Sequence, residues 1–461
     1  MLFQSKTIIQ LSDFGINVTS ENARQLVLYL GSLIDDNMDL IEIIASVTQM
    51  GWHDKAFLPY LADHLVLDVD ANSRRWASAY KQKGTLLAWI NNISSSRENH
   101  IFRFLLACSF AAPLLMKMKH RIFLVHNWGD SRFGKTAALK AALSVWGDPE
   151  GLMGNFNSTK VGLERMASFF TDLPLGIDEK QVAGTKQEFV ETLVYMLSLG
   201  KSRVRGTKSG GVENWSSWRS IILMTGEEPI IASTSQGGVQ TRVMELYGTP
   251  FKNEEAAARM HRIVSEDYGF AGAVFLKAFI DMPCHLEELR GLYNKFCSQF
   301  AESNKAGIHV NNVALVAATD VMVSKILFQQ QQEKAIEAAL EMGKSLLGEL
   351  IDQQTDVIDT AYDFIREWVI SNKLQFDRDA KPIYGFQEGK TIYILPSVIE
   401  EALTKKGFSY RKTIKALGER ERIGVSWANG KKRYSVTKRF NGAVSRFIEI
   451  RFSDEEEAAP F

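Results

Sequence analysis

With 461 residues, 45% hydrophobic and 23% charged, the chain has a globular composition with room for two or three cores, which excludes a disordered or fibrous protein. Lys plus Arg and Asp plus Glu stand at 54 each, so overall charge by itself argues for no partner. Cys108, Cys284 and Cys297 match no metal-ligand spacing, and an odd count suits structural thiols in a reducing compartment.

The first hundred residues mix short amphipathic segments with turn signals around Gly51-Trp52-His53. They form an N-terminal domain (1–100) to which no chemistry is assigned, with His53 expected as a packed histidine. No leader pattern opens the chain, and the longest apolar run, 101–116, is too short to span a bilayer and carries Arg103. A cytoplasmic protein with no membrane partner is expected. The run itself is apolar nearly all round, which predicts a buried helix.

Between 101 and 250, strand-like runs at 122–125, 173–177, 220–224 and 242–247 alternate with helical periods at 137–145, 161–170 and 186–199. That rhythm predicts an α/β core, a parallel sheet with helices on both faces. Residues 251–375 carry no strand signal and read as a helical lid or linker, including a long period at 329–351. From 376 to 453 two helical periods, 396–406 and 410–421, precede strands at 424–427 and 433–437 around Ala428-Asn429-Gly430-Lys431, where Asn-Gly signals a hairpin. Helix, helix and hairpin outline a winged helix. Residues 371–452 hold 18 Lys or Arg against 8 Asp or Glu, so this basic module is expected to bind duplex DNA. Arg411, Lys412 and Lys415 on its second helix and Lys431, Lys432 and Arg433 on its wing are the candidate contacts. Residues 454–461 begin Asp454-Glu455-Glu456-Glu457 and read as a frayed acidic tail.

Chemistry concentrates in the second segment. Gly129-Asp130-Ser131-Arg132-Phe133-Gly134-Lys135-Thr136 fits G-x-x-x-x-G-K-[ST] between a strand and a helix, the context in which that spacing cradles phosphates. All eight residues are candidate nucleotide contacts: backbone N–H groups converge on the phosphates, Lys135 reaches the β/γ oxygens and Thr136 ligates Mg²⁺. A strand ending Asp178-Glu179 supplies the carboxylates that the loop needs, Asp178 for the metal and Glu179 to polarise water. Thr225, closing the third strand, is a candidate sensor of the γ-phosphate. Arg242 precedes the last strand and is a candidate arginine finger acting on a neighbouring copy, which requires a ring. No Asn-Lys-x-Asp motif reads guanine, which favours ATP. Lys201, Arg203 and Arg205 alternate along 201–211, with Lys208 at the tip, as in a basic hairpin spaced to follow phosphates.

Together these pieces resemble an AAA+ ATPase with a hairpin before sensor 1, as in the MCM and superfamily-three helicases. More narrowly, Gly51-Trp52-His53, Ala111-Ala112-Pro113-Leu114-Leu115, Val145-Trp146-Gly147-Asp148, Asp172-Leu173-Pro174-Leu175 and Thr225-Gly226-Glu227 resemble the MCM-like self-loading helicases of staphylococcal cassette chromosome elements and related phage-borne proteins. The resemblance runs from about 50 to 320. It implies a hexameric homo-oligomer that uses ATP and Mg²⁺ to move along one DNA strand in a central pore, with Lys135, Thr136, Asp178, Glu179 and Thr225 on the nucleotide positions and Arg242 on the finger. It further implies replication-initiation or primase partners of the element. One departure is Ile308-His309-Val310-Asn311-Asn312-Val313, which holds no arginine where such proteins place a sensor-2 arginine. An ATP-switched DNA-binding initiator without unwinding activity is the alternative, and it predicts site-specific duplex binding with slow turnover.

Overall fold

Five short stretches between 121 and 250 assemble into one parallel sheet, and all but the edge strand Met153–Asn155 bury nearly every residue they contain. In the computed structural model the described residues are 4–42, 44–130, 134–178, 187–202, 216–231, 237–303, 309–377, 379–389, 391–428, 430–440 and 442–451. The strands are β1 (Phe123–Trp128), β2 (Met153–Asn155), β3 (Leu175–Asp178), β4 (Ile221–Gly226) and β5 (Val243–Tyr247), ordered β2-β3-β4-β1-β5. Continuous apolar runs such as Ile221-Ile222-Leu223-Met224 are what a sheet covered on both faces demands. Helices α1 (His100–Ala111), α2 (Lys135–Ser144), α3 (Lys160–Phe169) and α4 (Gln187–Leu199) flank it. The α/β core is therefore as expected. The sequence did not announce β2, whose three residues carry no period. The helix expected over 101–116 stops at Ala111, because Pro113 lacks an N–H and opens a separate turn, Leu114–Lys117.

Register fixes what lies at each edge. Asn127 of β1 pairs with Thr225 of β4 and with Leu246 of β5, and Ile177 of β3 pairs with Met224. Parallel pairing thus gathers Trp128, Asp178, Gly226 and Tyr247 at one edge and Phe123, Leu175, Ile221 and Val243 at the other.

The described residues between 254 and 371 are mainly helical, as expected, in α5 (Glu254–Glu266), α6 (Ala271–Asp281), α7 (Cys284–Ser303), α8 (Val310–Ile326) and α9 (Gln332–Ser371). The period expected over 329–351 belongs to α9, a helix of 40 residues. Its last turns supply Ala361, Tyr362, Ile365 and Val369 to a core shared with Ile399 and Leu403 of α10 (Pro396–Lys406), Ile414 and Leu417 of α11 (Tyr410–Glu419), and Ile448 and Ile450. The expected hairpin is present as β8 (Ser426–Ala428) and β9 (Lys431–Arg433). Around it lies a four-stranded sheet, β6 (Gly385–Glu388), β7 (Thr391–Ile394), β11 (Ala443–Arg451) and β10 (Val436–Phe440), in that order, which the sequence reading did not include.

Residues 4–48 and 63–68 form a separate small unit with its own core of Ile8, Val18 and Ala23 and a parallel pair, Ala45–Val47 with Leu65–Leu67.

One buried ionic cluster joins α1 to α8. Arg97 Nη2 donates to Asp320 Oδ1 (2.9 Å) and Ser324 Oγ (2.6 Å), while Arg103 Nε donates to Asp320 Oδ2 (2.7 Å). Asp320 is 1% exposed and is the shared carboxylate of both guanidinium groups. Removing it strands two charges in low dielectric. Asp320→Asn should therefore destabilise the fold by about 3–5 kcal/mol in urea unfolding, whereas replacing all three ionic residues with Met or Leu of similar volume should cost much less.

Candidate nucleotide and nucleic-acid sites

Gly134 caps α2 with φ of +79°, and a Cβ there would lie 2.5 Å from the Phe251 ring and 2.6 Å from Ala257 Cβ. Only glycine fits that cap, so the loop is held against α5 and the N-terminus of α2 faces the edge where β1 ends. Lys135 is buried, and its Nζ donates to the carbonyls of Gly129 (2.9 Å) and Asp130 (2.5 Å). Burial pushes its pKa down, opposed by the charges of Glu227, Asp130 and Asp178. Among the described residues the ammonium is bonded to loop carbonyls and to no carboxylate, an arrangement that suits an arriving polyanion.

Asp178 terminates β3 beside it. Its Oδ1 accepts from Thr136 Oγ1 at 3.1 Å and also, in a short contact, from Thr225 Oγ1. Three residues singled out from separate stretches of sequence therefore converge on one buried carboxylate oxygen. Hydroxyl and carboxylate oxygens are the donor set of a hard divalent cation. Ser131, Arg132, Phe133 and Glu179 lie outside the described residues.

Arg242 stands elsewhere. It directly precedes β5, so it sits at the edge opposite Gly129–Thr136. At about 3.3 Å per residue, the strand from Arg242 to Tyr247 separates the two edges by roughly 16 Å. The guanidinium packs 5.0 Å from the Tyr195 ring and its Nη1 donates to Gly238 O at 2.7 Å. It opens onto a cleft of about 1270 Å³ whose charged lining comprises Lys119, Arg121, Lys201, Arg219, Arg242 and Asp172. Among the described residues, five cations against one acid make this a cationic face. Arg121, Arg219 and Asp172 were not singled out as charged groups of a site. Their signal was positional, since each stands just before a sheet strand.

Lys201 lies at the foot of the expected basic hairpin. Its bridge to Ser217, the Ser202 N–H to Ser216 O bond (2.8 Å) and the Trp218 N–H to Gly200 O bond (3.0 Å) run the two arms antiparallel as far as they are described. Arg203, Arg205 and Lys208 fall outside the described residues.

Trp52 ties several motifs that carried no chemical reading. Its N–H donates to Asp172 Oδ2 (3.2 Å) and its Nε1 to Pro113 O (2.8 Å). Gly51, at φ +87°, approaches so closely that a Cβ would meet Thr171 O at 2.4 Å. His53 Nε2 bonds Gln49 O at 3.0 Å, the packed role expected of it. Burial pushes the Asp172 carboxyl up, against the Trp52 N–H and the charge of Arg219.

In the C-terminal domain Arg411, Lys412 and Lys415 are exposed on α11. Lys412 Nζ donates to Gln240 Oε1 (2.8 Å), and Lys415 lies 3.8 Å from Glu419. Lys432 and Arg433 are exposed on β9, with Lys431 at its start.

Residues 1–217 match a family model described as a domain of unknown function (DUF927), and residues 356–455 match the Cch helix turn helix domain. A solved structure titled "SCCmec type IV Cch - active helicase" superposes with a TM-score of 0.69 over 98% of this chain and 87% of that one, at 18% identity. This chain shares the fold of that structure. The resemblance carried by the motifs is thereby upheld, and the Cch domain match begins within α9, where that helix enters the C-terminal core. No curated protein matches the chain. Among the described residues no helix is long and apolar enough to cross a membrane, and no cluster of three or more His, Cys, Asp or Glu side chains is arranged to hold a metal.

His309, which leads into α8 on the Cch fold, is 4% exposed and bonded to the backbone of Gln240. Burial pushes its pKa down to about 4, so the imidazole is neutral at pH 7. A folded-state value below the ordinary 6.5 means its stability contribution is complete above pH 6.5 and is lost as pH falls toward 4. Unfolding in urea should show about 2 kcal/mol lost from this residue between pH 7 and pH 5, a loss that His309→Leu should remove.

Proposed function

We propose that the chain is an ATP-driven DNA helicase of a mobile genetic element, an AAA+ protein working as a closed, hexameric assembly. The observation that carries this reading is the division of parts between sheet edges: Lys135, Thr136, Asp178 and Thr225 at one, Arg242 and the basic hairpin's foot at the other. A site whose arginine cannot reach its own loop is completed by the next copy, and heterologous contacts that repeat around an axis close into a ring. Similarity to a protein titled an active helicase supports the reading.

Mg-ATP, when bound, supplies the anhydride whose cleavage drives movement. Lys135 would exchange the carbonyls of Gly129 and Asp130 for phosphate oxygens, with the other loop residues Ser131, Arg132, Phe133 and Gly134 placing N–H groups around them. Thr136 and Asp178 would hold the cation, Glu179 would take a proton from the attacking water, and Thr225 would orient that water. Arg242 would reach the γ-phosphate of nucleotide bound by the neighbouring copy. Lys201, Arg203, Arg205 and Lys208 grip the strand in the pore, while Arg411, Lys412, Lys415, Lys431, Lys432 and Arg433 on the winged helix hold duplex phosphates. Helices α5–α8 form the lid.

Lys135→Ala should abolish ATP hydrolysis, and Arg242→Ala should lower it by about 10³-fold. Mixing the two inactive variants should restore part of the rate, because a Lys135→Ala copy still offers its arginine to an intact neighbouring site. Rates in the mixture equal to the sum of the separate variants would show that active sites are not shared.

A further inference from the structure

Trp427 is 70% exposed, the only exposed tryptophan among the described residues. It sits in the middle of β8, where alternation turns Ser426 inward, its Oγ donating to Ser435 O at 2.6 Å, and sends Trp427 to the opposite face. The cross-strand neighbour of Trp427 is Lys432, itself exposed, and Arg433 pairs with Ser426 at the hairpin's foot. The indole belongs to none of the described core clusters of the C-terminal domain. Folding thus gains little from the ring's apolar surface.

An indole held in water beside ammonium and guanidinium groups combines the two elements that bind unpaired nucleotides: a flat π-face for the base and cations for the phosphate. Bases inside a duplex are already stacked on one another and present only groove edges and backbone, so they offer this face nothing. We propose that Trp427 stacks on an unpaired base of DNA, so that the hairpin recognises the junction between duplex and single strand while α11 holds the duplex. This rests on reading the C-terminal domain as a DNA-binding module, and it adds a preference that the module's charge alone does not give.

The test uses the full chain and three probes: a blunt duplex, the same duplex with a single-stranded tail, and the tail alone with 2-aminopurine in it. Trp427→Ala should weaken binding to the tailed duplex about tenfold and to the blunt duplex less than twofold, while Trp427→Phe keeps most of the difference. Wild type should quench the 2-aminopurine and Trp427→Ala should not. Equal losses on blunt and tailed duplex, or unchanged affinity and quenching, would overturn the proposal. Combined Arg411→Ala, Lys412→Ala and Lys415→Ala separates the two claims. If this triple change weakens duplex binding while Trp427→Ala changes nothing, stacking alone fails; if it leaves every affinity unchanged, the DNA-binding reading of the domain fails as well.

Discussion

The carboxylate of Asp178 is the point on which the candidate site turns. It accepts from Thr136 at the start of α2 and from Thr225 at the end of β4, so one buried oxygen joins the phosphate-loop helix to the sensor strand. Parallel pairing makes this possible, because it places every strand's C-terminal end on the same edge. The same pairing sends Arg242 to the far edge, among Arg219, Arg121 and Lys201. A single constraint of sheet topology therefore gathers Lys135, Thr136, Asp178 and Thr225 in the candidate site and keeps Arg242 away from them. On the proposed function, that withheld group is what makes one copy depend on the next.

A second constraint positions the sheet. Gly51 and Trp52 pack onto Thr171 and Asp172 ahead of β3, Trp52 reaches Pro113, and Trp146 Nε1 donates to Ser109 Oγ (3.1 Å) while Gly272 of α6 lies against its ring. The segments around Gly51-Trp52, Pro113 and Trp146 are thus joints. Gly51 lies where a Cβ would meet Thr171 O, and the indoles of Trp52 and Trp146 donate to Pro113 and Ser109, so these contacts fasten the region around Trp52 and α1 to the core. Such joints fix the loop's geometry without touching a substrate.

Much of this was legible in the chain. The loop, Asp178 and Thr225 declare themselves because a tight phosphate cradle and a strand-end carboxylate each require particular residue types at fixed spacing. Helices 396–406 and 410–419 and the Asn-Gly hairpin were readable for a similar reason: local turn and capping chemistry defines them. What escaped was non-local. The edge strand Met153–Asn155 exists only because β3 offers it a partner, and the four-stranded C-terminal sheet joins 385–394 to 436–451 across two helices. Arg219 and Arg121 look like ordinary surface cations until the sheet brings their strands to one edge. Trp427 closes the strand expected at 424–427, and only the folded hairpin shows that its indole is left in water.

The account stands or falls on the site being incomplete in a single copy. Its most direct test is the ATP hydrolysis rate per chain as protein concentration is varied, with sedimentation followed on the same samples. The account predicts that the rate per chain rises steeply as assembly proceeds and is near zero where the protein sediments as a monomer. A rate per chain that stays constant and substantial down to concentrations where only monomer sediments would contradict it.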